Sequence, residues 1–404
     1  LIWQLSIPLV LGNLFQQMYN MVDTVIVGRY LGLDALTSVS STTSITFLII
    51  GFCLGTCTGL AVPVAQKFGA KSYSEMRKFV MNAAYLAIFL AVIMTIVTCA
   101  LCGSILTWMK TPNQFYQGAY DYLFVIFLGI PFTFLYNVVA GIIRSLGDSK
   151  TPFYFLVLSA VMNIFLDMLF IIVFKLGTAG AGWATILSQA ISGVLCFRYM
   201  KKKYDILKTN HQERRLDMHY IKTLFTMAVP MGLQFSITAI GSILLQSAVN
   251  TLGAVYVSAF AAATKVKQLA MCPYDGFATA SATFGSQNLG AGNLKRIREG
   301  LKSGIIISVI YSIAIGIVLI FAGSKIALIF VSEVLGYAQQ LLTCAGFFYF
   351  FLAFLNCTRL TIQGLGYSAI AMCAGLSELL ARGLMSVFVI PKFGYTAVCF
   401  TDQT

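Results

Sequence analysis

The chain has 404 residues, of which 58% are hydrophobic and 10% charged, with a mean hydropathy of +0.84. Soluble domains carry about 25% charged residues, so the composition excludes a soluble globular fold and points to an all-α polytopic membrane protein. A net charge of +13 would suggest nucleic acid in a soluble chain, but here the charge sits in loops between apolar runs, and no nucleic-acid partner is expected.

A run of about 20 apolar residues is enough to cross a bilayer. Such runs fall in order at 2–28, 35–62, 79–101, 118–143, 152–174, 181–199, 223–250, 255–284, 301–322, 335–358 and 367–390. That makes eleven spans, and 395–404 reads as the opening of a twelfth. The chain is expected to continue beyond both ends, since it starts at a Leu already inside the first run.

The loops 66–78, 144–150, 198–222 and 285–302 hold most of the Lys and Arg, including KKKYDILKTNHQERR. The alternate loops hold about one each, at Arg29, Lys110, Lys175, Lys325 and Lys392. Cytoplasmic loops are the basic ones. The rich set, the linker 201–221 and both termini are therefore expected in the cytoplasm, with the protein in the cell membrane. The linker is the one long polar connection and reads as a solvated tether.

The first span carries one acid, Asp23, in NMVDTVIVGRY. A charge inside the bilayer is costly and usually functional. Asn13, Gln16, Gln17, Asn20, Asp23 and Thr24 fall within an arc of about 120° at 3.6 residues per turn, a polar stripe on an apolar helix. The fifth span places Ser159, Asn163 and Asp167 four apart, and the sixth places Thr185, Ser188, Gln189 and Ser192 on one face. Lipid offers no hydrogen-bond partners, so three such stripes must face one another or a wet cavity. Interhelical hydrogen bonding accounts for Ser, Thr and Asn. It accounts poorly for Asp23 and Asp167, because the first six spans show no intramembrane Lys or Arg to pair with them. Two unpaired carboxylates make a candidate cation site for a proton or for Na⁺, which Asn163 and Thr185 would help to ligate.

The chain also repeats itself. GTCTGLAVPVAQKFGAKSYSEMRK (55–78) aligns without gaps to GFATASATFGSQNLGAGNLKRIRE (276–299), an offset of 221 residues. RSLGDS (144–149) matches QGLGYS (363–368), and Asn137 matches Asn356, at an offset of 219. Each copy holds six helices, an even number, so both enter the membrane from one side. The expectation is two six-helix bundles, 1–200 and 222–404, related by a parallel repeat, with a site between them near the midplane.

The second copy has a different charge pattern. The seventh span carries Gln234, Thr238, Ser242 and Gln246 but no acid. Glu378 and Arg382 read as a self-neutralising i,i+4 pair. Arg359 is expected at the cytoplasmic end of the tenth span, while Lys265, Lys267 and Asp275 in the eighth have no evident role. Ten Cys lie in apolar helices. The CxxC of Cys99 and Cys102 lacks a His or a second CxxC beside it and reads as small buried hydrophobes. No catalytic cluster is visible, since His211 and His219 both lie in the linker, and no enzyme is expected.

IPLVLGNLFQQMYNMVDTVIVGRYLG, AQKFGA, SQNLGA, SLGDSKTP and MNIFLDMLFI followed by LGTAGAGWATILSQ resemble the multidrug and toxic compound extrusion (MATE) transporters over the whole chain. That resemblance implies a monomeric secondary antiporter of twelve helices. It would expel cationic or amphipathic organic compounds in exchange for Na⁺ or H⁺ and need no other cofactor. It also implies a cation site at Asp23, Asn163, Asp167 and Thr185. Where one branch of the family has a Glu in the seventh helix this chain has Thr238, closer to the DinF and MepA-like branches. The polar residues Gln16, Asn20, Gln189, Gln234, Thr238 and Gln246 are the candidates to face a substrate cavity. Asp23 lies six residues before Arg29, which places it in the outer half of the bilayer. A flippase for lipid-linked saccharides is the alternative; it would require Arg or Lys in the cavity. A receptor or scaffold would have lost the cation ligands, which are present.

Overall fold

A computed structural model describes residues 2–328 and 335–401. Among them the first half holds α1 (Ile2–Leu31), α2 (Leu33–Ser41), α3 (Thr43–Gly69), α4 (Tyr73–Trp108), α5 (Asn113–Leu128), α6 (Ile130–Ser145), α7 (Lys150–Asp167) and α8 (Gly177–Lys203). The second holds α9 (Met218–Asn250), α10 (Ala254–Gly290), α11 (Leu294–Ala327), α12 (Leu335–Gly364), α13 (Ser368–Leu384), α14 (Ile390–Phe393) and α15 (Tyr395–Thr401). Residues 402–404, the end of the expected twelfth span, lie outside the described residues.

Eight of these helical lengths are long and apolar enough to cross a membrane, and the bent pair α5–α6 makes a ninth. α1 and α10 have 30 and 37 residues, about 45 and 55 Å at 1.5 Å per residue, but carry more polar side chains. Counting them gives the eleven lengths expected, with two differences. The second is broken at Thr42, whose N–H bonds back to Val39, so a short α2 precedes α3. The fourth bends by 44° at Gly129, where Pro131 removes a backbone donor.

The surface is apolar where lipid would lie. Ile88, Phe89, Ile96, Ile310, Ile313 and Phe321 are all exposed on α4 and α11, a pattern that a water-soluble monomer avoids. Two separate cores form inside. One gathers Cys53, Leu60, Met76, Leu106, Leu123, Phe127 and Phe134 from α3 to α6, and the other Tyr274, Leu319, Leu342 and Tyr349 from α10 to α12.

The halves meet through the repeat. A Cβ on Gly55 of α3 would lie 2.5 Å from the Met231 carbonyl of α9, and one on Gly276 of α10 would lie 2.9 Å from the Val10 amide of α1. Both pairs are repeat mates at an offset of 221. The closest contact is where α3 and α10 cross: a Cβ on Gly69 would stand 1.8 Å from the Gln287 carbonyl oxygen, and one on Gly290 1.7 Å from that of Gln66. Helix backbones touch there, which glycine alone permits.

The linker is not the solvated tether its composition suggests. It folds into two short 3₁₀ turns, Asp205–Leu207 and His211–Arg214, and docks on α4. Glu213 is 4% exposed. It accepts from Arg77 Nε (2.8 Å), Arg77 Nη2 (2.7 Å) and Ser74 Oγ (2.8 Å), and caps its own turn through the Asn210 N–H. Asn82 holds the Arg215 carbonyl and the Asp217 amide. The missed signal was the capping pattern N-x-x-E at Asn210 and Glu213. The Arg77 hydrogen bonds hold the Glu213 carboxyl down from 4.5 to about 2. A depressed folded-state value means that docking is stabilised above the unfolded value and weakens as pH falls through the folded one. The protection factors of the 205–217 amides, which divide out the pH dependence of intrinsic exchange, should therefore be high at pH 7 and fall as pH drops from about 4.5 toward 2. Glu213→Gln, which cannot form the ion pair, should show fast exchange already at pH 7.

Candidate cation site and cavity

The three polar stripes converge. Each has one end at a cavity and the other at a buried cluster. The cavity, about 270 Å³ in volume, lies between the halves. Asn13, Gln16 and Tyr19 of α1, Ser159 of α7 and Gln189 of α8 line it on one side, with Thr133, Asn137 and Arg144 of α6. Met231 of α9, Thr279 and Thr283 of α10, and Leu360 and Gln363 of α12 line the other.

Further along the same helices, toward the end that carries Lys110 and Lys175, lies the cluster. Asp167 is 0% and Asn163 1% exposed, while Asp23 and Thr185 are half-buried. The Asp23 and Asp167 carboxyls lie near enough to interact with each other, and Asn163 Nδ2 donates to Thr185 Oγ1 at 3.4 Å. Asp23 Oδ1, Asn163 Oδ1 and both Asp167 oxygens are buried without a hydrogen-bond partner. Buried polar atoms are normally satisfied, and each exception calls for an explanation. Here four orphaned acceptors converge from two helices with no donor among them, a set that fits a hard cation with oxygen ligands. Asp167 is also the last α-helical residue before a π-helical turn, Met168–Val173; such bulges frequently mark functional sites. Tyr19 and Tyr122 border the carboxylates. They escaped notice in the sequence because an aromatic on an apolar helix looks like core.

Of the other candidates, Gln16 and Gln189 reach the cavity. Gln189 accepts from Thr133 Oγ1 at 2.9 Å. Asn20 does not line it: it lies mid-stripe but its side chain is exposed, and Gln16 and Tyr19 of α1 line the cavity instead. Gln234 sits behind the wall, bonded to Gln363 and 3.2 Å from Arg359 Nε. Thr238 gives its carbonyl to Arg382, and Gln246 bonds Asn250 one turn on; neither lines the cavity.

Two readings of the basic residues are corrected. Arg359 is embedded among second-half helices, bonded to Asn356 (2.8 Å) and 4.0 Å from Glu378. Glu378 in turn pairs with Arg382 at 2.8 Å, as the i,i+4 spacing predicts. Lys265 is exposed, Lys267 is buried, and Asp275 lies in the field of Arg359. Nor is the first half free of interior cations: Arg144, assigned to a loop by its position near a helix end, is the last turn of α6 and points into the cavity.

The cavity floor, at the basic-loop end, is the α3–α10 crossing. Gln287 Nε2 donates to the Ser145 carbonyl at 2.9 Å and Gln66 Nε2 to the Gly364 carbonyl at 3.3 Å. Ser145 Oγ donates to the Ala61 carbonyl and Ser286 Oγ to that of Gly364. The two Gln bonds come from repeat mates and run from each half to the other, while the two Ser bonds lie within one half each.

A two-copy helical fold with a cavity at the repeat interface and a polar cluster beside it is the architecture of a transporter, and the comparisons agree. The MatE family model matches residues 8–169 and 230–387, most of the chain. The chain belongs to the MATE family of multidrug efflux transporters. It is similar to the probable multidrug resistance protein YpnP of Bacillus subtilis (strain 168), 29% identical over 97% of this chain and 86% of that protein. It is also similar to YoeA of the same organism, likewise a probable multidrug resistance protein, at 28% over 81% and 72%. The multidrug export protein MepA of Staphylococcus haemolyticus (strain JCSC1435) is 21% identical over 90% and 78%. The fold matches a crystal structure of a MATE transporter in complex with MaL6, with a TM-score of 0.93, 23% identity and coverage of 99% of this chain and 91% of that one. An outward-facing multidrug resistance MATE transporter matches at 0.92, with 22% identity and the same coverage.

This MATE chain is thus a multi-pass membrane transporter and not an enzyme. The flippase alternative is not favoured, since one guanidinium on one wall falls short of the positive walls a pyrophosphate would need.

If the orphaned oxygens hold a metal cation, Na⁺ added at constant pH and ionic strength should raise the melting temperature of the purified protein where choline does not. At a hundredfold excess over Kd the stabilisation is about 2.7 kcal/mol. Asp23→Asn and Asp167→Asn should each abolish the Na⁺ response while leaving the choline baseline in place.

Proposed function

We propose that the protein exports amphipathic organic compounds from the cell in exchange for a cation, by alternating access. The observation that carries this reading is the set of four unpartnered buried oxygens of Asp23, Asn163 and Asp167, placed on helices that also wall the cavity between the halves. A cation at the cluster satisfies atoms that the protein leaves unsatisfied. A proton shared by the two carboxyls would satisfy part of the set. Na⁺ would also engage Asn163 Oδ1 and Thr185, which makes Na⁺ the better fit to this donor set.

The floor of the cavity is closed by the α3–α10 crossing, at the end we assign to the cytoplasm from its Lys and Arg. The basic linker would then be cytoplasmic and the cluster would lie toward the outside, in a plasma membrane. Export requires that the crossing open to load substrate and close to release it outward. A cation entering from outside would bind at Asp23 and Asp167 and bias the closed-floor state; only a ligand with different affinities for the two states can do so.

Proteoliposomes tested with a fluorescent amphipathic dye, under separate Na⁺ and H⁺ gradients, check both substrate and coupling. An imposed gradient of the coupling ion should drive dye movement against its own gradient. Asp167→Asn and Asp23→Asn should each lower that rate by at least about 10-fold, a loss of about 1.4 kcal/mol in coupling, at unchanged protein content. Full transport by both variants would sink the cation-site reading.

A further inference from the structure

We infer that the compounds this cavity accepts carry an anionic group, a carboxylate, sulfonate or phosphate, held by Arg144. The inference rests on the export reading for its setting and goes beyond it by naming the charge of the substrate.

The residues lining the cavity include one ionisable group that is charged at neutral pH, the guanidinium of Arg144, and no Asp or Glu. Most of the polar side chains around it have their hydrogens committed. Asn13 donates to the Cys272 carbonyl, Asn137 to that of Thr133, Tyr136 to Pro152, Thr283 to Thr279, and Ser145 and Ser286 to the floor. Arg144 has no hydrogen bond or ion pair to any described residue, and its nitrogens are not sealed from the cavity. The groups electrostatically nearest are Tyr136, Cys57 and Cys196, all neutral at physiological pH. Asp148, the acid nearest in sequence, is engaged elsewhere: it accepts from Thr151 and from the Tyr204 hydroxyl at 2.6 Å, with Lys203 at 3.9 Å.

Two ordinary explanations for a basic residue here fall short. A cation suits the last turn of a helix and a cytoplasmic flank, but either role is met by a side chain that snorkels outward, as the exposed Lys71 and Lys150 nearby can. Neither requires a guanidinium aimed into the cavity. The repeat supplies a control, because the mate of Arg144 at the offset of 219 is Gln363, which also lines the cavity. The fold accepts a neutral polar residue at this position, so the charge is a feature of the site. A guanidinium with open donors binds oxyanions through paired, charge-assisted hydrogen bonds and repels an organic cation. The apolar body of the same molecule would lie against Leu9, Ile50, Leu54, Leu156, Met231 and Leu360.

The test uses the purified full chain in detergent and three probes with one aromatic body: naphthylacetate, naphthylacetamide and naphthylethylammonium. Equilibrium dialysis against protein-free micelles gives each affinity. The wild type should bind the acetate about 10- to 100-fold more tightly than the amide, the range of a charge-assisted hydrogen-bonded contact, and the ammonium more weakly than either. Arg144→Gln should erase the acetate preference while leaving amide binding within about twofold. Arg144→Lys, which keeps the charge but loses the fork, should retain part of it. Ammonium binding as tight as acetate in the wild type, no measurable acetate binding, or an undiminished preference in Arg144→Gln would each overturn the proposal. Transport is read separately: if ion gradients move none of the probes while the head-group preference stands, the export reading fails and the anion site survives.

Discussion

The contact on which the rest of this structure depends is the crossing of α3 and α10. Gly69 and Gly290 let two helix backbones meet where any side chain would collide with a carbonyl oxygen. Because the two glycines and their partners Gln287 and Gln66 are repeat mates, the contact is nearly self-complementary. Each half closes the other by the same means. The floor of the cavity, the pairing of α1 with α10 and of α3 with α9, and the separation of the two cores all follow from that one axis of closest approach. Packing at backbone distance is also all-or-none, since tightly packed interfaces switch between discrete arrangements and do not deform continuously. An interface of this kind suits a protein whose two halves must either seal or part.

The two halves answer the same constraint differently. Within the membrane every polar group must find a partner. In the second half Glu378 stands between Arg359 and Arg382, and Gln234, Gln363 and Asn356 hydrogen-bond beside them. In the first half Asp23 and Asp167 have no cation beside them, and four oxygens are left open. The same fold is thus built once with opposite charges side by side and once with two like charges and no cation beside them. On the proposed reading, that asymmetry places the cation in the first half, while both halves line the cavity.

How much of this was legible in the sequence depended on whether a feature is local. Asp23, Asn163, Asp167 and Thr185 could be grouped because each sits on a periodic polar face, and unpaired acids in apolar helices have few places to go. The repeat was legible because its glycines recur in register. Arg144 was not, because a residue near a helix end is counted with the loop by composition, and the direction of its side chain depends on what packs against the last turn. Asn20 failed because angle alone does not say how far along a helix the cavity reaches: it lies between Asn13 and Gln16 on the stripe but about one to two turns further along α1. The docking of 201–221 was hidden because its polar residues look solvated until Arg77, Asn82 and Ser74 of α4 are placed opposite them.

α1 touches the interface, the cavity and the cluster. Its first turns pack on α10 of the opposite half, with Val10 against Gly276. Its middle lines the cavity with Asn13, Gln16 and Tyr19. Its far end carries Asp23, seven residues or about 10 Å beyond Gln16. α7 and α8 reach the cavity and the cluster, but their main packing is on first-half helices. On the proposed reading, a cation that draws Asp23 toward Asp167 pulls on one end of a helix whose other end belongs to the interface. The chain of contact is then a single rigid element and needs no longer network of side chains.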